Sequence, residues 1–128
     1  MAANGRVTIS SPSRVWHVGL AYTSLIETLP LVIQSQQGHN AGKVQQLGNV
    51  VLRMVKTRGV KVGRKLGDLL GLKTRTREPL GDPKELLTGD YLAQTEPLAS
   101  KEATIFVEQS NPLPMTVTAI EAELKVGG

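Results

Sequence analysis

The chain has 128 residues, no cysteine, a hydrophobic fraction of 40% and a formal net charge of +4. Its length predicts one domain over residues 1–128, with a mainly aliphatic core because only 3% of residues are aromatic. The lack of cysteine excludes disulfides, thiolate nucleophiles and cysteine-ligated zinc. The longest apolar run, residues 29–33, is too short for a membrane span, so we expect none.

Two alternating stretches lie in the first quarter of the chain. Residues 6–9 predict a short strand, and residues 15–22 predict a second strand with the clearest alternation in the sequence. The apolar face of that second strand comprises Trp16, Val18, Leu20 and Tyr22. Residues 25–29 continue this strand or begin the next one, and Pro30 limits how far it can pair.

The middle of the chain begins with a polar stretch, residues 34–42, which predicts a loop. Residues 43–57 fit both a helix and a strand, but their β-branched side chains and Gly48 favour the strand. A turn at residues 58–59 would then let residues 60–62 pair back on that strand as a hairpin.

Residues 63–87 predict a long irregular excursion that is basic at first and then rich in glycine and proline. Short helical turns are expected at residues 68–70 and 83–87. A turn at residues 88–90 is expected to lead back to the β core.

The last quarter predicts two strands joined by a turn at residues 111–114: residues 103–108, and a longer strand after the turn. In the longer strand the apolar face passes from Val117 and Ala119 to Ile120 and its successors, as a β-bulge would produce; a short helix over 119–124 is the alternative. The whole pattern predicts an all-β fold, a small antiparallel β-sandwich with one long irregular basic excursion. A small β-barrel is the alternative.

Charge is distributed unevenly along the chain. Residues 1–42 carry +1, residues 43–77 carry +9 and residues 78–128 carry −6. We expect the basic segment to contact either the acidic part of another copy or a nucleic-acid backbone. The candidate contact residues are Lys56, Arg58, Lys61, Arg64, Lys65, Lys73, Arg75 and Arg77.

Catalytic and metal-binding patterns are weak. His17 and His39 have no cysteine or convergent carboxylate at metal-ligand spacing, and no serine has an obvious histidine partner. Glu121 and Glu123 would share one face of a strand, which we interpret as a solvated face. We therefore expect no catalytic residue, no cofactor and no metal, and a protein that is not an enzyme.

Four motifs follow one another in a characteristic order. They are residues 17–24 with 27–30, residues 50–53 with 58–63, residues 87–90, and residues 111–117. In that order they resemble the C-terminal β-rich region of tail nozzle (tail tubular) proteins of short-tailed bacteriophages, across most of residues 5–124. Ala21 stands where the resemblance leads us to expect proline, and residues 63–77 have no clear counterpart.

The resemblance implies a structural protein of the virion, made in the host cytoplasm and used in DNA ejection. It implies a homo-oligomeric ring of copies, expected to be a hexamer, around the DNA exit channel, in contact with other phage tail proteins. It implies no cofactor and no catalytic residue. The alternative is a basic β-domain that binds nucleic acid directly and non-specifically. The resemblance is compatible with a chain that is a fragment of such a protein, a minimal version of it or a separate subunit.

Overall fold

The computed structural model describes residues 4–12, 14–16, 18–35, 38–40, 42–74, 79, 82, 84–96 and 99–127. The strands are β1 (Ser24–Glu27), β2 (Gln34–Ser35), β3 (Gly38–His39), β4 (Gln45–Thr57), β5 (Lys61–Gly63), β6 (Leu70–Gly71), β7 (Leu87–Ala93), β8 (Ala99–Ser100), β9 (Phe106–Gln109) and β10 (Val117–Val126). The described residues contain no helix that could cross a lipid bilayer.

Two antiparallel sheets form a small sandwich. The first sheet has the strand order β1-β9-β5-β6, and the second has the order β10-β4-β7, with β8 pairing beside the start of β4. A separate hairpin joins β2 to β3. The predicted all-β sandwich is confirmed. The alternative of a small barrel is wrong, because no backbone pairing in the described residues joins the edge of one sheet to the edge of the other.

The core lies between the sheets and is aliphatic, as the composition predicts. Strand β4 alternates, turning every second residue of most of its length inward against the other sheet. The buried hydrophobic residues are Leu47, Val50, Leu52, Met54, Val60, Val62, Ala93, Ala103, Ile105 and Val107. Because β4 pairs with β10 on one side and β7 on the other, it is the central strand of the second sheet.

The strand predicted for residues 43–57 is confirmed by β4, and the bulge predicted near Ala119 is confirmed by a register shift between Val117 and Ala119. The alternative helix over residues 119–124 is wrong, because β10 runs through them. The strand predicted for residues 103–108 is found as β9, which begins three residues later.

The two strands predicted before residue 23 are wrong. In the predicted strand 6–9, Arg6 forms only an isolated β-bridge and residues 7–9 belong to no strand. The described part of residues 15–22 belongs to no strand either, and His17 lies outside the described residues. The physical reason is a missing neighbour. Pairing between β1 and β9 begins at Ser24 opposite Gln109, and β9 ends there, so β9 does not continue beside the residues that precede Ser24.

Four other predictions for the middle of the chain also differ from the structure. The loop at residues 34–42 contains the β2–β3 hairpin. Residues 61–63 pair with β9 and β6 rather than with β4, because the turn around Gly59 (φ +77°) carries the chain into the first sheet. The turn predicted at residues 88–90 lies inside β7, and the excursion of residues 63–87 contains β6 instead of a helical turn at residues 68–70. Pro83 lies outside the described residues, so the predicted turn at 83–87 is not described in full.

Candidate interaction surfaces

Six of the eight candidate contact cations lie in the described part of the chain. They are Lys56, Arg58, Lys61, Arg64, Lys65 and Lys73, while Arg75 and Arg77 lie outside it. These six residues are spread along the chain from the end of β4, through β5, to just beyond β6, so they lie on both sheets. Their side chains have different surroundings, which are described in turn below.

A cleft of about 290 Å³ brings two of these cations together. Arg58 and Lys61 line it beside Asn111 and Thr74, and the remaining walls are apolar residues or glycines. Arg58 is held from two sides: its Nη1 donates to the Glu85 carbonyl at 2.7 Å, and its own carbonyl accepts from Gln109 Nε2 at 2.6 Å. The cleft is close to the lower limit of about 300 Å³ for small-molecule pockets. It presents fixed positive charge to a polar partner.

Arg64 is the least satisfied cation in the described residues. Its Nε and Nη1 are buried and find no acceptor within the part of the chain that the structure describes. Burial lowers the pKa of the Arg64 guanidinium, because removal of water disfavours the charged form. A buried donor without an acceptor is costly to the isolated chain, and a second molecule could reach these two nitrogens only if the side chain moved.

The other three described cations are exposed and lie in different settings. Lys56 sits at a register shift of β4 with an unusual φ of +44°, and its backbone N–H donates to Thr88 Oγ1 at 3.0 Å. Lys65 accepts at its carbonyl from the Asp68 N–H, which closes the turn after β5. Lys73 lines a second cavity described below.

Basic and acidic segments are partly interleaved within the chain. Arg53 on β4 donates to both carboxylate oxygens of Asp90 on β7, at 2.8 and 3.1 Å, and its Nη2 lies 3.9 Å from Glu121 on β10. The hydrogen bond from Arg53 lowers the pKa of Asp90, and the same bond raises the pKa of Arg53. Lys61 also lies opposite Glu108 in the first sheet. Part of the charge complementarity is therefore satisfied inside one copy.

Each side of the sandwich has a seam where the edge strands of the two sheets face one another. The seam between β6 and β7 holds a cavity of about 360 Å³, lined by Leu70, Gly71, Lys73, Leu92 and Gln94. The opposite seam, beside β10, holds a groove of about 160 Å³. Its lining, named here the apolar groove, consists of Thr28, Leu31, Val32, Ile33, Ile105, Ile120, Ala122 and Leu124.

Apolar side chains are also exposed along the chain before β1. We name residues 14–23, with residue 17 outside the described part, the arm. Val18 is 82% exposed, Leu20 is 91% exposed and Tyr22 is 65% exposed. Sequence reasoning found these residues but expected a paired strand. Their exposure is a tertiary property that the alternation of the sequence does not reveal.

The described histidine and the paired glutamates stand apart from these surfaces. His39 is exposed on β3, and Glu121 and Glu123 are exposed on β10. Among the described residues no three histidine, cysteine or carboxylate side chains are placed to hold a metal ion. The surfaces that could act on a partner are therefore the basic cleft, Arg64, the apolar groove and the arm.

The chain matches no known protein-family model and no curated protein. Its function must therefore be inferred from its own residues. The ordered motifs of the sequence and the surfaces described above provide that basis.

Proposed function

We propose that the chain is a structural component of a bacteriophage tail, a nozzle-like or tail-tube-like module that forms or lines a ring around the DNA exit channel. The motif order carries the phage setting, because residues 87–90 and 111–117 follow the earlier motifs as they do in the nozzle proteins they resemble. The protein acts by assembly with copies of itself and with other tail proteins, within the virion, and not by catalysis.

The single observation that supports assembly is the amount of apolar surface. The described residues leave more large apolar side chains exposed than they bury, among them Trp16, Leu20, Leu29 and Val32. Isolated exposed side chains are ordinary, but contiguous apolar surface rimmed by polar residues is typical of protein interfaces. A ring of copies would cover this surface.

The basic region gives the ring a second kind of contact. Arg58 and Lys61 share the basic cleft, and Arg64 carries two buried donors that need an acceptor. An acidic surface of the next copy would pair with the cations of the cleft, and so would the phosphates of DNA in the channel; the Arg64 donors could join such a contact only if the side chain moved outward. We favour the contact between copies, because the acidic part of the chain supplies a partner of the required sign.

The test is to determine the oligomeric state of the full chain and its place in the particle. We expect light scattering to give a mass of several copies, and electron microscopy to show closed rings with a central channel. Antibody labelling of purified particles should place the chain in the tail. A strictly monomeric protein that is absent from virions would refute the proposal.

Direct nucleic-acid binding is the second candidate, and the grouping of Arg58, Lys61 and Arg64 around β5 favours it. Such binding would weaken steeply with salt, with a slope of about 0.7–0.9 per phosphate contacted on logarithmic axes. A gel-shift titration with DNA at low and moderate salt measures this salt dependence.

Replacing Lys61, Lys65 and Lys73 by glutamine should reduce the slope of this salt dependence. The matched control replaces Lys84, Lys101 and Lys125 in the acidic part and should leave the slope unchanged. Absence of salt-dependent binding at micromolar protein would exclude this candidate.

A further inference from the structure

The arm has the alternating side-chain pattern of a β-strand, but its described residues do not form one. Trp16, Val18, Leu20 and Tyr22 alternate with smaller or polar residues, and the described residues of the arm belong to no strand. Val18 and Leu20 are more than four-fifths exposed. A strand with one apolar face is stabilised when its backbone pairs with a sheet edge and that face is buried.

The apolar groove has the complementary chemistry. It lies between the inner face of β10 and the chain that follows β1, and Thr28 supplies its one polar side chain. At its rim, Val32 is 67% exposed and Ile33 is 44% exposed. At about 160 Å³ it is smaller than the roughly 300–1,000 Å³ of small-molecule pockets, a size that suits inserted side chains.

The edge of β10 beside this groove is open. Strand β10 runs for ten residues and pairs with β4 on one side, and none of the strands in the described residues pairs on its other side. Glu121 and Glu123 project from its outer face, away from the groove. An added strand would therefore meet free backbone groups at the edge and apolar side chains on the inner face.

The wall of the groove opposite β10 is held in place before any partner arrives. Asn40 is buried; its Oδ1 accepts from the Ile33 N–H at 2.8 Å, and its Nδ2 donates to the Leu31 carbonyl at 3.0 Å. The Leu31 N–H donates to the Ala103 carbonyl at 2.9 Å. A preformed site loses less conformational entropy on binding.

The arm of one copy leads away from its own groove. A Cβ at Gly19 would lie 3.3 Å from the Cβ of Pro112, beyond the end of β9 where pairing with β1 starts. The groove lies at the other end of that pairing, where Thr28 exchanges hydrogen bonds with Ile105. The arm would have to reverse direction to reach its own groove, whereas a neighbouring copy can present its arm directly.

The opposite seam fits the arm less well. Its cavity includes the cation of Lys73 and the amide of Gln94, which an apolar strand would desolvate without pairing. The charges also favour the seam beside β10. The arm carries Arg14 and no acidic residue, while the outer face of β10 presents Glu121 and Glu123 beside one cation, Lys125.

We propose that the arm of one copy adds as a strand to the free edge of β10 in a second copy, with Val18 and Leu20 seated in the apolar groove. The contact is head to tail, because the donor and acceptor surfaces differ, and such contacts close into rings when the rotation between copies allows. The inference deepens the proposed function, on which it rests, by naming the segment that links the copies.

The experiment separates donor from acceptor in the full chain. A donor-defective variant, V18D/L20D, changes two exposed arm residues and leaves the groove intact. An acceptor-defective variant, Val32→Asp, places a charge at the exposed rim of the groove and leaves the arm intact. The control, Ala21→Asp, adds one negative charge on the other face of the arm, as many as Val32→Asp adds at the groove and half as many as V18D/L20D. Circular dichroism confirms that each variant is folded, and sedimentation measures association.

We expect the control to associate as the unmodified chain does. Each defective variant should lose at least about 30-fold in self-association affinity, the effect of losing an interface hot spot. When the two defective variants are mixed, they should form a dimer and nothing larger, because only one intact arm and one intact groove can meet. Association that survives in both variants, or a mixture that stays monomeric, would overturn the arm proposal while leaving ring assembly possible. An unmodified chain that is monomeric at every concentration would overturn the proposed function as well.

Discussion

The arm and strand β4 show how differently one kind of sequence pattern can be used. The arm has the cleaner alternation, yet Leu20 is 91% exposed and the described residues of the arm belong to no strand. Strand β4 has an ambiguous pattern, yet Leu52 is fully buried and the strand has neighbours on both sides. Alternation makes a segment able to form a strand, and an available edge decides whether it does.

The sharpest way to test this comparison is to make the same substitution in both regions. Leu52→Ala should lower the free energy of unfolding by about 2–5 kcal/mol, because it removes buried methyl groups and leaves a cavity. Leu20→Ala should change it by less than about 0.5 kcal/mol. Urea denaturation at a concentration where the chain is monomeric measures both. Equal losses would mean that the arm is packed in solution.

The end of β4 offers the second test, through a hydroxyl. Thr57 is fully buried, and its Oγ1 accepts from the Thr116 N–H at 2.8 Å while lying 2.9 Å from the Val55 carbonyl. Thr57→Val should cost about 1–3 kcal/mol, because the partly buried Thr116 N–H loses its acceptor. Thr23→Val in the arm is the matched control and should leave the urea midpoint unchanged. A tolerated Thr57→Val would show that water satisfies the donor.

The third test contrasts two arginines. Arg64 has two buried donors without acceptors in the described residues, whereas the Arg14 side chain in the arm is 86% exposed. Arg64→Met should raise the free energy of unfolding of the monomer by about 1 kcal/mol, since the orphaned donors are removed. Arg14→Met should have no measurable effect. A loss of stability in Arg64→Met would show that the guanidinium has a partner within the chain.

The smallest expected effect is on the outer face of β4. The hydrogen bond from Arg53 lowers the pKa of Asp90, so its stabilising contribution is present above the ordinary aspartate pKa. That contribution is lost as the pH falls through the lowered value. Carboxyl NMR should place the Asp90 midpoint below the usual range, and Arg53→Gln should return it upward. Arg14→Gln, whose guanidinium lies 4.0 Å from Asp82, should leave the Asp90 midpoint unchanged; a shift there would contradict the assignment.

Local pattern was enough to predict some strands. The strand β4 and the bulge of β10 could be predicted because each depends on the spacing of neighbouring side chains. The pairing partners could not be predicted, because paired residues such as Ser24 and Gln109 are far apart in the sequence. Residues 88–90 looked like a turn, but pairing with β4, including Arg53 opposite Asp90, keeps them in a strand. The energy of that pairing outweighs the local preference of Gly89.

The candidate surfaces were partly predictable for the same reason. Charge counting identified Arg58, Lys61 and Arg64 as contact residues. It could not show that Arg58 and Lys61 share a cleft with Asn111, since the tertiary fold brings that residue from the far end of the chain. Burial of the Arg64 nitrogens is likewise a tertiary property. The apolar groove could not be predicted either, because its lining residues come together only when both sheets are folded.

The position of β10 in the chain has a consequence for biosynthesis. Among the described residues it is the last strand in chain order, yet it pairs with the central strand β4 and supplies Ile120, Ala122 and Leu124 to the apolar groove. Such distant pairings form slowly, and this one cannot form until residues 117–126 have left the ribosome. A prematurely terminated product would lack the acceptor for a neighbouring arm. Such a product would still carry its arm, so it could dock on a complete copy but could not accept the next one.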